Sequence, residues 1–90
     1  MDNVVDAPIL NYDFENFELF PNPANQIVNL STEKINNMTV YDLNGRVIFE
    51  KHFNLEKSFH VNNWKNGIYI IHFNMINNET QIKKLVIQHQ

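Results

Sequence analysis

Apolar runs recur about every ten residues along most of the chain, and they are rich in β-branched and aromatic side chains. Runs of this kind at this spacing predict the strands of an all-β sandwich, and we find no helix-length stretch with a 3.6-residue period. The predicted strands are a short Phe17–Phe20 segment, Gln26–Ser31, Met38–Leu43, Arg46–Phe53, Lys57–Val61, Ile68–Asn74 and Thr80–Gln88. The pattern therefore predicts an antiparallel β-sandwich of about seven strands.

An Asn-Gly pair predicts how two of these strands connect. Asn44 and Gly45 lie between the predicted strands Met38–Leu43 and Arg46–Phe53. Asn-Gly favours a two-residue type I′ turn, which needs positive φ at both central residues. We expect the two strands to form a hairpin with this turn.

The predicted strand Ile68–Asn74 is apolar on both sides. Alternate residues of a strand point to opposite faces. The face assigned to the core contains Tyr69, Ile71 and Phe73. The other face contains Ile68, Ile70 and His72. Because the second face is unusually apolar for a solvated surface, we expect both faces to be partly covered.

The last predicted strand mixes charged and aliphatic residues on both of its faces. One face contains Lys83, Leu85 and Ile87. The other contains Ile82, Lys84 and Val86. Lysines on a strand discourage uncontrolled pairing, so this pattern is typical of an edge strand.

The chain divides into a lead-in and one domain. Residues 1–16 are polar and acidic without a sustained period, which indicates a linker or flexible lead-in. Pro21 and Pro23 then fix the backbone and favour extended conformations before them. We expect a stiff junction there and a folded domain over residues 17–90.

Composition excludes several classes of function. The chain has 90 residues, which corresponds to one domain, and a net charge of −3. It contains no cysteine, which excludes disulfides, thiolate nucleophiles and thiolate metal sites. Seven basic against ten acidic residues argue against nucleic-acid binding. No apolar run approaches the ~20 residues of a membrane span, and the first residues do not resemble a secretory signal.

Candidate chemistry is sparse. Ser31 and Ser58 have no triad or elbow motif around them, and two glycines cannot build a phosphate-binding loop. His52, His60 and His72 lie on three predicted strands without metal-ligand spacing, so we interpret them as scattered imidazoles. The sequence therefore predicts no catalytic residues, no metal site and no cofactor.

Trp64 leaves two alternatives. An exposed tryptophan in a loop could stack on a sugar, whereas a large aromatic residue just before a core strand usually packs down on the end of a sandwich. We favour the packing role.

Four segments, in this order and spacing, resemble the type A C-terminal sorting domain of the type IX secretion system of Bacteroidota. They are Phe20–Asn25, Val40–Val47, Asn66–Ile71 and Lys83–Ile87. The resemblance extends from about Glu18 to Gln90. Each segment is weak evidence alone, and their combination carries the resemblance.

The resemblance implies an immunoglobulin-like or fibronectin-III-like sandwich that acts as a secretion signal and not as an enzyme. In that family the domain ends a longer cargo protein, which a separate Sec signal takes to the periplasm. The outer-membrane translocon recognises the domain, and a gingipain-like, sortase-like cysteine protease commonly removes it at the cell surface. The implied location is therefore secreted or cell-surface. With no cargo and no Sec signal present, we expect Met1 to be either an introduced start residue or the cut edge of a larger protein.

The family motifs correspond to eleven positions in this chain. They are Pro21, Asn22, Pro23, Asp42, Asn44, Gly45, Gly67, Tyr69, Lys83, Lys84 and Val86. For most of them we expect a role in the fold, including a Tyr69 hydroxyl tied to a neighbouring corner and an unusual backbone conformation at Gly67. For Lys83 and Lys84 we expect contact with a partner, because exposed charges contribute little to stability.

Three expectations about binding follow. A translocon partner would pair with the free backbone edge of the last strand and contact the two lysines. The same edge could support a weak dimer. The alternative function is a non-catalytic, fibronectin-III-like accessory module that binds carbohydrate or protein through Trp64 and nearby loops.

Overall fold

A computed structural model describes residues 17–90, and the predicted lead-in of residues 1–16 lies outside the described residues. Within residues 17–90 the chain is all-β and contains no helix. The strands are β1 (Leu19–Phe20), β2 (Ile27–Leu30), β3 (Ile35–Tyr41), β4 (Val47–His52), β5 (Ser58–His60), β6 (Gly67–Met75) and β7 (Thr80–Ile87). The predicted fold class and all seven predicted strands are confirmed, with shifts of a few residues at their ends.

The strands form two antiparallel sheets. One sheet has the order β1-β2-β5 and the other has the order β4-β3-β6-β7. The predicted hairpin is the β3–β4 pair, and β7 lies at an edge of the four-stranded sheet, as its mixed pattern predicts. The finer immunoglobulin-like assignment stays a prediction.

The core lies between the inner faces of the two sheets. Each of the following side chains is at most 2% exposed: Val28, Leu30 and Phe59 from the three-stranded sheet, and Met38, Val40, Ile71, Phe73, Leu85 and Ile87 from the four-stranded sheet. Tyr69 is 8% exposed, so the face of β6 assigned to the core is confirmed. Burying each aliphatic or aromatic side chain of this size contributes about 1.5–3 kcal/mol, which makes this layer the main source of stability.

The β3–β4 turn differs from the predicted type I′ turn. Gly45 has a φ of +86°, but Asn44 is not among the described residues with positive φ. The Asp42 N–H donates to the Arg46 carbonyl at 2.9 Å, and the Gly45 N–H donates to the Asp42 carbonyl at 3.0 Å. These bonds define a three-residue loop, a type I turn followed by a left-handed glycine. The prediction of a type I′ turn was wrong.

The Asp42 side chain explains this choice of turn. Its Oδ1 accepts the N–H groups of Asn44 at 2.9 Å and Arg46 at 3.0 Å. An aspartate before a turn favours such local bonds, and they hold Asn44 in the ordinary turn conformation. Gly45 alone then supplies the left-handed residue.

Candidate functional site

The structure brings the sequence-predicted site residues toward one end of the sandwich. In the four-stranded sheet Tyr41 lies opposite Ile70, which lies opposite Lys84, and Gly67 lies opposite Ile87. The β3–β4 turn, the start of β6 and the end of β7 therefore share one end of the sheet. The motif positions at or near this end are Asp42, Asn44, Gly45, Gly67, Tyr69, Lys84 and Val86.

Pro21, Asn22 and Pro23 join this group because the segment Pro21–Ala24, which we call the edge clamp, lies along β7. The Asn22 side chain forms two bonds with β7: its Nδ2 donates to the Lys84 carbonyl at 3.0 Å, and its Oδ1 accepts the Val86 N–H at 2.9 Å. A carboxamide has the same donor and acceptor as a peptide group. Asn22 therefore takes the place of a residue in a neighbouring strand.

Ala24 continues the edge clamp through its backbone. Its N–H donates to the Val86 carbonyl at 2.9 Å, and its carbonyl accepts the Gln88 N–H at 2.9 Å. These bonds create an isolated parallel bridge between Ala24 and Ile87. Ala24 is only 3% exposed, and its part in the site was missed because alanine carries no motif signal.

The edge clamp corrects the expected free edge of the last strand. From Lys84 to Gln88, the outward backbone groups of β7 are already bonded to Asn22 and Ala24. We expected this edge to be free for pairing with a partner or with a second copy. For the half of the strand from Lys84 onward, that prediction was wrong. The cause is a pairing between residues 62 and 64 positions apart, which no local pattern reveals.

The two motif lysines lie on opposite faces of β7 and have different surroundings. Lys83 is half-buried, and its Nζ lies 4.8 Å from the centroid of the Phe17 ring. That ring packs edge-to-face on Phe73 at 4.9 Å. Lys84 is exposed, and its ammonium forms no ion pair within the part of the chain that the structure describes. Lys83 therefore has a cation–π partner of its own, whereas Lys84 is available to another molecule.

The outer face of the four-stranded sheet is apolar around Lys84. Ile68 and Ile82 are 39% and 61% exposed, and Ile70 and Val86 are half-buried. On the second face of β6, Ile70 and His72 are half-buried and Ile68 is exposed, so the cover within residues 17–90 is partial. Sequence reasoning identified the apolar character of the Ile68 side but did not assign it to a site.

The aromatic end of the sandwich follows the sequence-based expectations. The Tyr69 hydroxyl donates to the Lys65 carbonyl at 2.6 Å, so the predicted tie to a neighbouring corner is confirmed. The Trp64 ring packs on Phe49 and Tyr69, at centroid distances of 5.5 and 5.2 Å. Gly67 has a φ of +153°, which other residues rarely adopt. The packing role favoured for Trp64 is confirmed.

The segment after β7 is fastened to the loop that carries Trp64. The His89 N–H donates to the Asn66 Oδ1 at 2.7 Å, and the His89 Nε2 lies 2.7 Å from the Trp64 carbonyl oxygen. With the edge clamp, these contacts hold both sides of the last residues in place.

The carboxylate of Asp42 has the clearest electrostatic shift in the site. The hydrogen bond from the Arg46 N–H lowers the pKa of Asp42 below its usual 3.8, and the Asn44 N–H and the Arg46 guanidinium act in the same direction. The Arg46 Nε lies 3.1 Å from the Asp42 Oδ2. Partial desolvation opposes these effects without reversing them. The ionised carboxylate therefore stabilises the turn.

The structure offers little for metal chemistry. His52, His60 and His72 lie on the separate strands β4, β5 and β6. Within residues 17–90, no group of three or more His, Cys, Asp or Glu side chains could hold a metal ion. Residues 17–90 form no helix that could span a membrane.

Comparison with known proteins places these features in a family. The family model described as "Secretion system C-terminal sorting domain" matches residues 18–88. A curated relative, the endo-acting ulvan lyase of Formosa agariphila, is 36% identical over 75 residues, which are 78% of this chain and 14% of the relative. The chain thus spans about a seventh of the length of that relative. Since the family model covers nearly all of the sandwich, the chain belongs to the secretion system C-terminal sorting domain family.

Proposed function

We propose that this chain guides a covalently linked, N-terminal cargo through the outer membrane, where the translocon recognises its motif surface. Its family serves as a C-terminal sorting signal for type IX secretion, which takes proteins to the cell surface or beyond. The small share of the ulvan lyase that the chain spans supports a larger cargo. The activity of that cargo is a separate matter, because the lyase name belongs to the relative.

The observation that carries the proposal is the edge clamp. It joins a motif near the start of the domain to a motif near its end, through the bonds of Asn22 to Lys84 and Val86. The proposed recognition surface therefore forms only when the sandwich is folded.

The remaining motif positions have two roles in this proposal. Asp42, Asn44 and Gly45 shape the β3–β4 turn, whereas Gly67 and Tyr69 shape the start of β6. Both groups support the end of the sandwich that the partner would meet. Val86 and Lys84 belong to the surface itself.

The domain is proposed to begin at Phe17 and to follow a linker of residues 1–16. Phe17 is only 4% exposed, so the packed sandwich already includes it. A linker before it would let a surface cysteine protease of the sortase type cut between cargo and domain. We further propose that the domain has no catalytic activity, binds no nucleic acid and needs no cofactor.

The alternative of a carbohydrate-binding module has no specific support. The Trp64 ring is used in packing against Phe49, Phe59 and Tyr69. A glycan-binding screen separates the alternatives, because a sorting domain is expected to show no specific sugar.

A secretion assay tests the proposed function. The full 90-residue chain is fused behind a reporter with a Sec signal and expressed in a Bacteroidota host with type IX secretion. We expect the reporter at the cell surface or in the medium, and in the periplasm when a translocon gene is deleted. A reporter without the domain is the control. Equal delivery of the fusion with and without the translocon would refute the proposal.

A further inference from the structure

Part of the outer face of the four-stranded sheet is apolar, with Lys84 inside this area and His72 at its border beside Ile82. Its members, which we call the outer patch, are Tyr41, Ile68, Ile70, Ile82, Lys84 and Val86. The register places Ile70 between Tyr41 and Lys84, whereas Ile68 pairs with Val86. The six side chains thus lie on three neighbouring strands and form one surface.

Exposure distinguishes the outer patch from an ordinary solvated sheet face. Ile82 is 61% exposed and Ile68 is 39% exposed, although both lie within regular strands. The Tyr41 ring is half-buried and lies 4.8 Å from the ring of His72, which shares this face. Contiguous exposed apolar side chains in a sheet are typical of surfaces that another protein covers.

The charge of Lys84 specifies the partner. Lys84 is exposed and forms no ion pair within residues 17–90. On the same face, the acid Glu50 belongs to β4, which β3 and β6 separate from β7. A partner that covers the patch removes water from the ammonium, which is unfavourable unless a carboxylate replaces the water. A complementary surface is therefore apolar and carries an acidic side chain opposite Lys84.

A second copy of this chain fits the patch less well. Packing two outer patches together would bring both copies of Lys84 into one apolar interface. Like charges at an interface are unfavourable, and the patch itself contains no acid. A different protein is the better occupant.

We propose that the outer patch is the surface by which this sorting domain docks on a partner protein, and that the partner meets Lys84 with a carboxylate. The inference rests on the proposed function and assigns that function to one face. It also separates the motif lysines, because Lys83 points to the other face and lies over Phe17. Lys84 is the contact, and Lys83 supports the fold.

The test uses the secretion assay with matched variants of the full chain. Lys84→Glu is compared with Lys57→Glu, which makes the same charge change at an exposed position just before β5, in the other sheet. Ile82→Thr is compared with Ile76→Thr, because Ile76 is 53% exposed but lies beyond the end of β6. We expect each patch variant to reduce the delivered fraction at least tenfold and each control to leave it within twofold. Lys84→Arg should retain delivery.

Folding and self-association are measured on the same purified chains. Equal thermal midpoints for Lys84→Glu and the wild type would show that a loss of delivery is not a loss of fold. If the wild type and both patch variants are all delivered fully, the outer patch is not the docking surface. The proposed function would still stand in that case. Failure of the wild-type fusion itself would refute the proposed function. A wild-type dimer that Ile82→Thr dissociates would also overturn the inference, because a second copy would then occupy the patch.

Discussion

At residue 22 a side-chain amide replaces a backbone amide. Asn22 offers a donor to the Lys84 carbonyl and an acceptor to the Val86 N–H, and asparagine is the shortest residue with both groups. Aspartate would lack the donor, and alanine would lack both. The prolines at 21 and 23 limit the backbone on either side, so the amide is held toward β7.

Replacing Asn22 tests the value of these bonds. Asn22→Ala removes two hydrogen bonds, and we expect the free energy of unfolding to fall by about 1–2 kcal/mol. For a domain of this size each kcal/mol corresponds to about 4–8 °C in the thermal midpoint, which calorimetry measures. Asn25→Ala is the control, because Asn25 is exposed and its side chain forms no hydrogen bond with the described residues. Equal midpoints for the two variants would contradict the role given to Asn22.

Single residues differ in how well the sequence predicts them. Tyr69 and Trp64 behaved as expected, because a large aromatic residue beside a core strand has few ways to bury its ring. The bonds of Asn22 were not foreseen, because its partners lie more than sixty residues away and depend on the packing of the sheets. The separation of Lys83 from Lys84 was foreseen by alternation, but the Phe17 ring over Lys83 was not.

Among the elements, β3 shows where strand prediction stops. The predicted strand began at Met38, but β3 begins at Ile35. Asn36 and Asn37 are poor strand formers, and the register shifts between Ile35 and Asn37. The Phe53 N–H nevertheless donates to the Asn36 carbonyl at 2.8 Å, so pairing with the neighbouring segment overrides the local preference.

The β3–β4 turn predicts a pH effect. The folded pKa of Asp42 lies below its usual 3.8, chiefly because its carboxylate accepts the Arg46 N–H. A depressed folded pKa means that the ionised form contributes stability above the unfolded pKa, and that this stability is lost as pH falls through the folded pKa. Glu56 acts in the same direction, chiefly through the Asn54 N–H.

We therefore expect Asp42→Asn to flatten the acid limb of the stability curve. The variant should melt lower than the wild type near neutral pH, and the difference should shrink as the pH falls below about 4. Thermal melts over this range, followed by circular dichroism, measure both effects. Glu50→Gln is the control, because the Glu50 carboxylate forms no hydrogen bond within the described residues. A constant difference between wild type and Asp42→Asn at every pH would contradict the argument.

For the whole molecule, the two edges of the four-stranded sheet are protected in different ways. The edge clamp covers the second half of β7, whereas β4 carries Glu50 and Lys51 in its second half. An antiparallel pairing of two β4 strands centred on either residue would place like charges opposite each other, which is destabilising. The covered backbone of β7 and the charged residues of β4 therefore both disfavour edge-to-edge pairing between two copies of the chain.

Because both edges of the four-stranded sheet are protected, we expect the wild-type chain to stay a 10.7 kDa monomer. Loss of the edge clamp should expose the backbone of β7 for pairing with a second copy. Asn22→Ala should associate reversibly at concentrations where the wild type and Asn25→Ala remain monomeric, as measured by sedimentation velocity well below the thermal midpoints. Hydrogen exchange should show faster exchange at the Val86 and Gln88 amides, which the clamp occupies in the wild type. If those amides exchange faster and the variant still sediments as a monomer, the clamp fastens β7 without protecting the sheet from self-pairing.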